Sequence, residues 1–116
     1  MSAHIDLEIE QGATFTLDIS VTDADGDPID LTGYTARASI KRDARESTAL
    51  LGLTTANGRI LITAATGLVQ LVLTAAETAA ISTWTRGVYD LELVSAGGDV
   101  TRLAEGAVSV SANVTV

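Results

Sequence analysis

The stretch TFTLDISVTDADGDPIDLTG, Thr14 to Gly33, decides the fold. Its first half alternates. Phe15, Leu17, Ile19 and Val21 fall on one side of an extended chain, and Thr14, Thr16, Asp18, Ser20 and Thr22 on the other. A period of two in a run rich in β-branched residues is what a half-buried strand requires. The second half is turn chemistry. Asp25-Gly26 supplies a residue free to take positive φ, and Pro28 halts pairing because its nitrogen has no hydrogen to donate. A new start follows at Leu31-Thr32-Gly33. Strand, sharp turn and return is how a β-sandwich is laid down.

The pattern repeats outward in both directions. Ile5, Leu7 and Ile9 alternate with His4, Asp6, Glu8 and Glu10, which predicts a first strand with an acidic outer face. Ala36, Ala38 and Ile40 should point inward from a strand over Thr35 to Lys41, with a bulky neighbour such as Trp84 or Tyr89 above the two alanines. Residues 42–47 lack an apolar period and read as a loop. Leu50 to Thr54 and Arg59 to Thr63 flank Asn57-Gly58, the strongest two-residue hairpin signal. Leu68 to Thr74 is apolar on both faces, as in a central strand. Thr74 followed by Glu77 has the spacing of a capping box and predicts a short helix near residues 75–81 that bridges two sheets. Tyr89, Leu91 and Leu93 point inward from the next strand, with Asp90 and Glu92 outward. Ala96-Gly97-Gly98-Asp99 then turns the chain into Val100 to Ala104, Glu105-Gly106 bends it, and Ala107 to Val116 alternates to the last residue. Leu17, Ile19, Leu71, Leu91 and Val110 are the expected core; Thr16, Asp18, Asp90 and Ser109 should be more exposed.

Turn signals at short, regular spacing and a single helix candidate predict one domain over residues 1–116. Its expected class is all-β: an antiparallel Ig-like sandwich of seven to nine strands. The 116 residues suffice for one core without staples, and the chain has no cysteine to supply disulfides, thiolate metal ligands or a thiol nucleophile. The aromatics are Phe15, Tyr34, Trp84 and Tyr89, so the core must be mainly aliphatic. Fifteen acidic against seven basic residues give a net charge of −8, which argues against nucleic acid and anionic membranes as partners. Only Lys41, Arg42 and Arg45 gather positive charge. Met1 to His4 leads into a strand rather than a basic and then apolar leader, so no signal peptide is expected.

Candidate sites are few. Asp23, Asp25, Asp27 and Asp30 crowd one turn and invite a calcium reading. EF-hand spacing is absent, however, and Asp and Gly are what tight turns are made of. His4 is the only histidine and lies on a polar face, which makes neither a zinc site nor a Ser-His-Asp triad. Asp90 and Glu92 share the outer face of one strand, where carboxylate pairs serve solubility more often than glycoside cleavage. Trp84 and Tyr89 could stack a sugar or plug the end of a sandwich. No catalytic, cofactor-binding or metal-binding set is assembled, and no cofactor is expected.

Several segments, taken in order, resemble the Ig-like domain of tailed-phage virion proteins, similar to the N-terminal domain of baseplate upper proteins and to small prophage tail proteins. They are Gly12-Ala13-Thr14-Phe15; Asp25 to Gly33; Gly67 to Thr74 with Glu77-Thr78; Tyr89-Asp90-Leu91-Glu92-Leu93; and Gly106 to Val110 with Val114-Thr115. Ala13 stands where the family usually has an acidic residue, and the chain stops where relatives often continue into coiled-coil or receptor-binding domains. The resemblance implies a non-enzymatic structural protein of a virion, assembled in the bacterial cytoplasm. It would act as a tail, baseplate or fibre-associated module, joined by strand edges and loops to other virion proteins and to copies of itself, with no small-molecule substrate. Capsid decoration and carbohydrate-binding adhesion are the alternatives. On this reading the terminal strand, ending at Val116, lies at a sheet edge open to a neighbour.

Overall fold

The computed structural model describes residues 3–81 and 84–112. Among them are the strands β1 (Ala3–His4), β2 (Leu7–Glu10), β3 (Phe15–Ser20), β4 (Thr35–Lys41) and β5 (Leu51–Thr54). After these come β6 (Ile60–Thr63), β7 (Leu68–Leu73), the helix α1 (Ala75–Ala79), β8 (Arg86–Val94) and β9 (Val100–Ser111). The strands form an all-β sandwich of two mostly antiparallel sheets. In the larger sheet the order is β1-β9-β8-β4-β5, with β2 continuing β1 alongside β9; the smaller sheet is β3-β7-β6.

Alternation places the core. Leu91 and Val69 are fully buried, as are Leu71, Leu73 and Ile60 beside them. Burying a side chain of this size stabilises the fold by about 1.5–3 kcal/mol. Ala36 and Ala38 are buried too, and their neighbours across the sheet are Leu93 and Leu91, so small residues stand beside large ones. Tyr89 stands beside Ile40 in the same sheet. Of the expected core, Leu71 and Leu91 are buried, whereas Leu17, Ile19 and Val110 are only half-buried. The reason for the first two is position: β3 is an edge strand of the smaller sheet. Thr16, Asp18 and Ser109 are exposed and Asp90 is intermediate.

Three expectations need correction. The sandwich is not wholly antiparallel, because β1 and β2 both run parallel to β9. The Asn57-Gly58 turn does not close a hairpin: β5 pairs with β4, β6 pairs with β7, and the turn carries the chain from one sheet to the other. The last strand is not an edge either. β9 lies between β8 and β1–β2 from Ala104 to Ser109 and still pairs with β2 at Ser111, while Asn113 to Val116 lie outside the described residues.

β9 is also one continuous strand rather than two segments joined at Glu105-Gly106. Its register against β8 slips by one residue, from Leu91 opposite Ala104 to Glu92 opposite Arg102. The extra residue, Leu103, makes a bulge that switches which residues face inward. Leu103 and Ala104 thus both reach the core, and Val108 and Val110 continue on the new parity.

Candidate functional site

Of the four connections that carry the chain from sheet to sheet, two run from edge strand to edge strand: Gln11–Thr14 from β2 to β3, and Thr55–Arg59 from β5 to β6. They make the two seams of the sandwich, and one helix touches both. α1 starts at its capping box. The Thr74 hydroxyl accepts the Glu77 N–H at 3.1 Å, and the Glu77 carboxylate accepts the Thr74 N–H at 2.9 Å. The helix is one turn and a half, ending at Ala79 rather than 81. Its adjacent residues Glu77 and Thr78 then serve opposite seams.

At the β5–β6 seam, Arg59 donates from Nε to Glu77 at 2.5 Å and from Nη1 to the Gly52 carbonyl at 2.9 Å. Asn57 completes the closure. Its Oδ1 accepts the Thr54 N–H at 3.0 Å, and its Nδ2 donates to the Gly52 carbonyl at 3.1 Å. Gly52 and Thr54 are alternate residues of β5, so one side-chain amide meets the edge strand as a neighbouring peptide group would. Two outward groups of the β5 edge, the Gly52 carbonyl and the Thr54 N–H, are thereby occupied. Glu77 is held below the usual carboxylate range, first by the Thr74 N–H and then by the Arg59 guanidinium.

At the β2–β3 seam, Thr78 is fully buried. Its hydroxyl donates to the Ala13 carbonyl at 2.8 Å and accepts the Gly12 N–H at 3.0 Å. Gln11 Nε2 donates to the Ile81 carbonyl at 2.8 Å. These bonds fix the connection but leave the strand edge bare. Among the described residues, no strand pairs with the outer side of β1–β2.

The step from β1 to β2 is a separate latch. The Tyr89 hydroxyl donates to the Ile5 carbonyl at 2.6 Å, and the Asp6 carboxylate accepts the Ala107 N–H at 3.0 Å. Gly106 permits the crossing, because a Cβ there would stand 2.3 Å from the Ile5 carbonyl oxygen. Asp6 is held below the usual carboxylate range chiefly by the Ala107 N–H, with His4 adding to it. Tyr89 is pushed up to about 12, first by burial and then by the nearby Asp6 and Glu105 carboxylates.

The candidates read from sequence fall elsewhere. Asp23 accepts the Asp25 and Asp27 N–H groups at 2.9 and 3.0 Å, which builds the turn. One carboxylate oxygen from each of these three exposed residues lies within 4.8 Å of the others. Asp30 is apart from them in its bonding: the Thr32 hydroxyl and N–H bind it and hold its pKa below the usual range. His4 is exposed and lies 3.0 Å from Asp6. Asp90 and Glu92 each face an arginine, Arg102 at 3.5 Å and Arg37 at 2.8 Å, rather than each other. Trp84 and Tyr89 are core residues, 8% and 4% exposed, which withdraws them from any sugar platform. Arg42 and Arg45 sit on the exposed β4–β5 loop, and Lys41 is half-buried beside it. A shallow cleft of about 510 Å³ joins Lys41, His4, Asp90, Arg102 and Glu105, a mixed-charge surface with no single polarity.

Comparison with models of known protein families and with curated proteins finds no match to this chain. Sequence reasoning missed Asn57, Arg59, Thr78 and Gly106. Only Gly106 carried a signal: a lone glycine inside an alternating strand marks a close backbone approach.

Proposed function

We propose that this domain is a non-enzymatic structural module of a tailed-phage or prophage-derived particle, joined to its neighbours through sheet edges and loops. The observation that carries the reading is the unequal treatment of edges. Unpaired backbone on a sheet edge is a template for another chain, and folded proteins ordinarily cover or blunt it. This domain spends two side chains on the Gly52 carbonyl and Thr54 N–H of the β5 edge, and among the described residues no strand pairs with the outer side of β1–β2. The segments that resemble phage Ig-like domains agree with a framework role: they supply the β2–β3 seam, the central strand β7, the α1 cap and the facing strands β8 and β9.

A tail, baseplate or fibre position is the reading adopted, with capsid decoration the competing one. Cryo-electron microscopy of particles from a host carrying the parent phage or prophage tests both. Density for the domain at the tail or baseplate is the expected result. Density on the capsid would replace the tail position, and absence from all particles would overturn the reading.

A further inference from the structure

We infer that the outer edge of β1–β2 accepts an extended lysine- or arginine-bearing segment of a partner protein as an added strand, an inference that rests on the assembly reading above. The backbone sets the geometry. The amides of Ile5 and Gln11 turn toward β9, donating to Glu105 at 2.9 Å and Ser111 at 3.0 Å. Successive residues of a strand direct their peptide groups to opposite sides, so the main chain of Asp6, Glu8 and Glu10 turns outward. There the Glu10 carbonyl already accepts the Ala13 N–H at 3.0 Å. Among the described residues, the outward N–H and C=O of Glu8 and the N–H of Glu10 are left for a new strand. This edge is also preformed. Leu7 and Ile9, between those glutamates, are 4% and 1% exposed, so strand addition orders the partner and not the host.

Charge selects the occupant. Asp6, Glu8 and Glu10 are exposed along the edge of a chain whose net charge is −8. Two copies meeting through this edge would oppose like charges, which disfavours self-pairing. A basic strand meets attraction along the same line, and main-chain bonds supply the affinity. At the β5 edge Asn57 and Arg59 already occupy the Gly52 carbonyl and the Thr54 N–H, so an added strand would have to displace them.

The probe is a peptide of about eight residues alternating valine and lysine, a typical strand length, added to the ¹⁵N-labelled full chain. Saturable binding with slowed hydrogen exchange at the Glu8 and Glu10 amides is expected. The E8K/E10K variant, checked by its amide spectrum for an intact fold, should bind at least about tenfold more weakly, since two attractive rim charges become repulsive. A peptide N-methylated at alternate residues should lose the exchange protection. Binding that leaves those two amides unprotected, or no binding, overturns the inference. Particle incorporation separates it from the reading it rests on. If wild type enters particles and E8K/E10K enters equally, the edge inference fails and the particle reading stands. If wild type does not enter, the particle reading fails, and the peptide experiment alone judges the edge.

Discussion

The two seams of the sandwich solve the same covalent problem, carrying the chain from the edge of one sheet to the edge of the other, and they end differently. At β5–β6 the connection folds back. Asn57 and Arg59 bind the Gly52 carbonyl and the Thr54 N–H of β5, and Arg59 continues to Glu77. At β2–β3 the connection is bolted inward by Thr78, with nothing returned to the strand. The difference teaches that fixing a crossover and protecting an edge are separate tasks. A buried hydroxyl does the first, and a side-chain amide placed beside the strand does the second.

The open seam begins at an edge strand that is covered less deeply than the centre of its sheet, and the largest expected effect tests that. Leu17 of the edge strand β3 and Leu71 of the central strand β7 are register partners. Leu71 is 1% exposed, whereas Leu17 is only half-buried. Leu71→Ala should cost about 2–5 kcal/mol, and Leu17→Ala clearly less, because its site is open to solvent and can collapse. Chemical denaturation of both variants measures it. Equal losses would mean that the open seam is as tightly packed as the centre of the sheet.

The next effect concerns the helix that holds both seams. Thr78→Val keeps the shape and removes the hydroxyl, leaving the Gly12 N–H and the Ala13 carbonyl without that partner. Its expected cost is about 1–3 kcal/mol. Glu77→Gln breaks an ion pair whose side chains are each more than a quarter exposed, so its cost should be smaller, within about 1 kcal/mol. Urea midpoints rank the two. A larger loss for Glu77→Gln would place the main bolt at the sealed seam.

How far this arrangement could be read from sequence depends on which force sets each part. Alternation located the strands because burial acts on every second residue, and Thr74 to Glu77 spelled out the helix start because a capping box is local. Asn57-Gly58 misled. Gly58 does take positive φ, +78°, as a tight turn wants. What became of that turn was decided by the partners of the Asn57 amide, on a strand three to five residues back. Thr78 gave no local sign of its seam role: its hydroxyl also meets the Ala75 carbonyl three residues back, as a helical threonine ordinarily does, while the bonds that fix the seam reach residues 65 and 66 positions away. The parallel pairing of β1–β2 with β9 joins the two ends of the chain, a separation over which residue patterns carry no register.

A smaller effect on stability, but a qualitative one on association, is expected from Asn57→Ala. The substitution frees the Thr54 N–H to solvent and removes one of the two donors to the Gly52 carbonyl. Exposed hydrogen bonds of this kind contribute about 0.5–1.5 kcal/mol each. More telling is that it would free the Thr54 N–H of the β5 edge for another chain. Sedimentation velocity should show concentration-dependent self-association of Asn57→Ala that wild type lacks, since β5 carries none of the three carboxylates that guard β1–β2. A variant that stays as monodisperse as wild type would show that Asn57 stabilises its turn without protecting the strand.

The finest comparison uses pH, because the seams are latched by groups that titrate at different ends of the scale. Asp6 at the open side and Glu77 at the sealed side both have depressed pKa values. Each therefore adds stability that is present above the unfolded carboxyl value, about 4, and is lost as pH falls through the lower folded value. Acid should loosen both sides. Tyr89 works in the opposite sense. Its pKa rises from 10.0 to about 12, so its contribution is complete below pH 10 and disappears as pH climbs through about 12. The phenolate can no longer donate to the Ile5 carbonyl, and it would stand buried near Asp6 and Glu105. Alkali should loosen the open side alone. Isoleucine methyl spectra separate the two, with Ile5 reporting the β1–β2 latch and Ile60 reporting the sealed seam at the start of β6. On raising pH, the Ile5 methyl should shift with a midpoint close to that of the Tyr89 phenolate while Ile60 holds still, and Tyr89→Phe should abolish the shift. On lowering pH, both methyls should move, each following its own carboxylate. Ile5 and Ile60 moving together in alkali would mean that the latch and the seal belong to one cooperative unit, and the division between an open and a closed side would not extend to their stability.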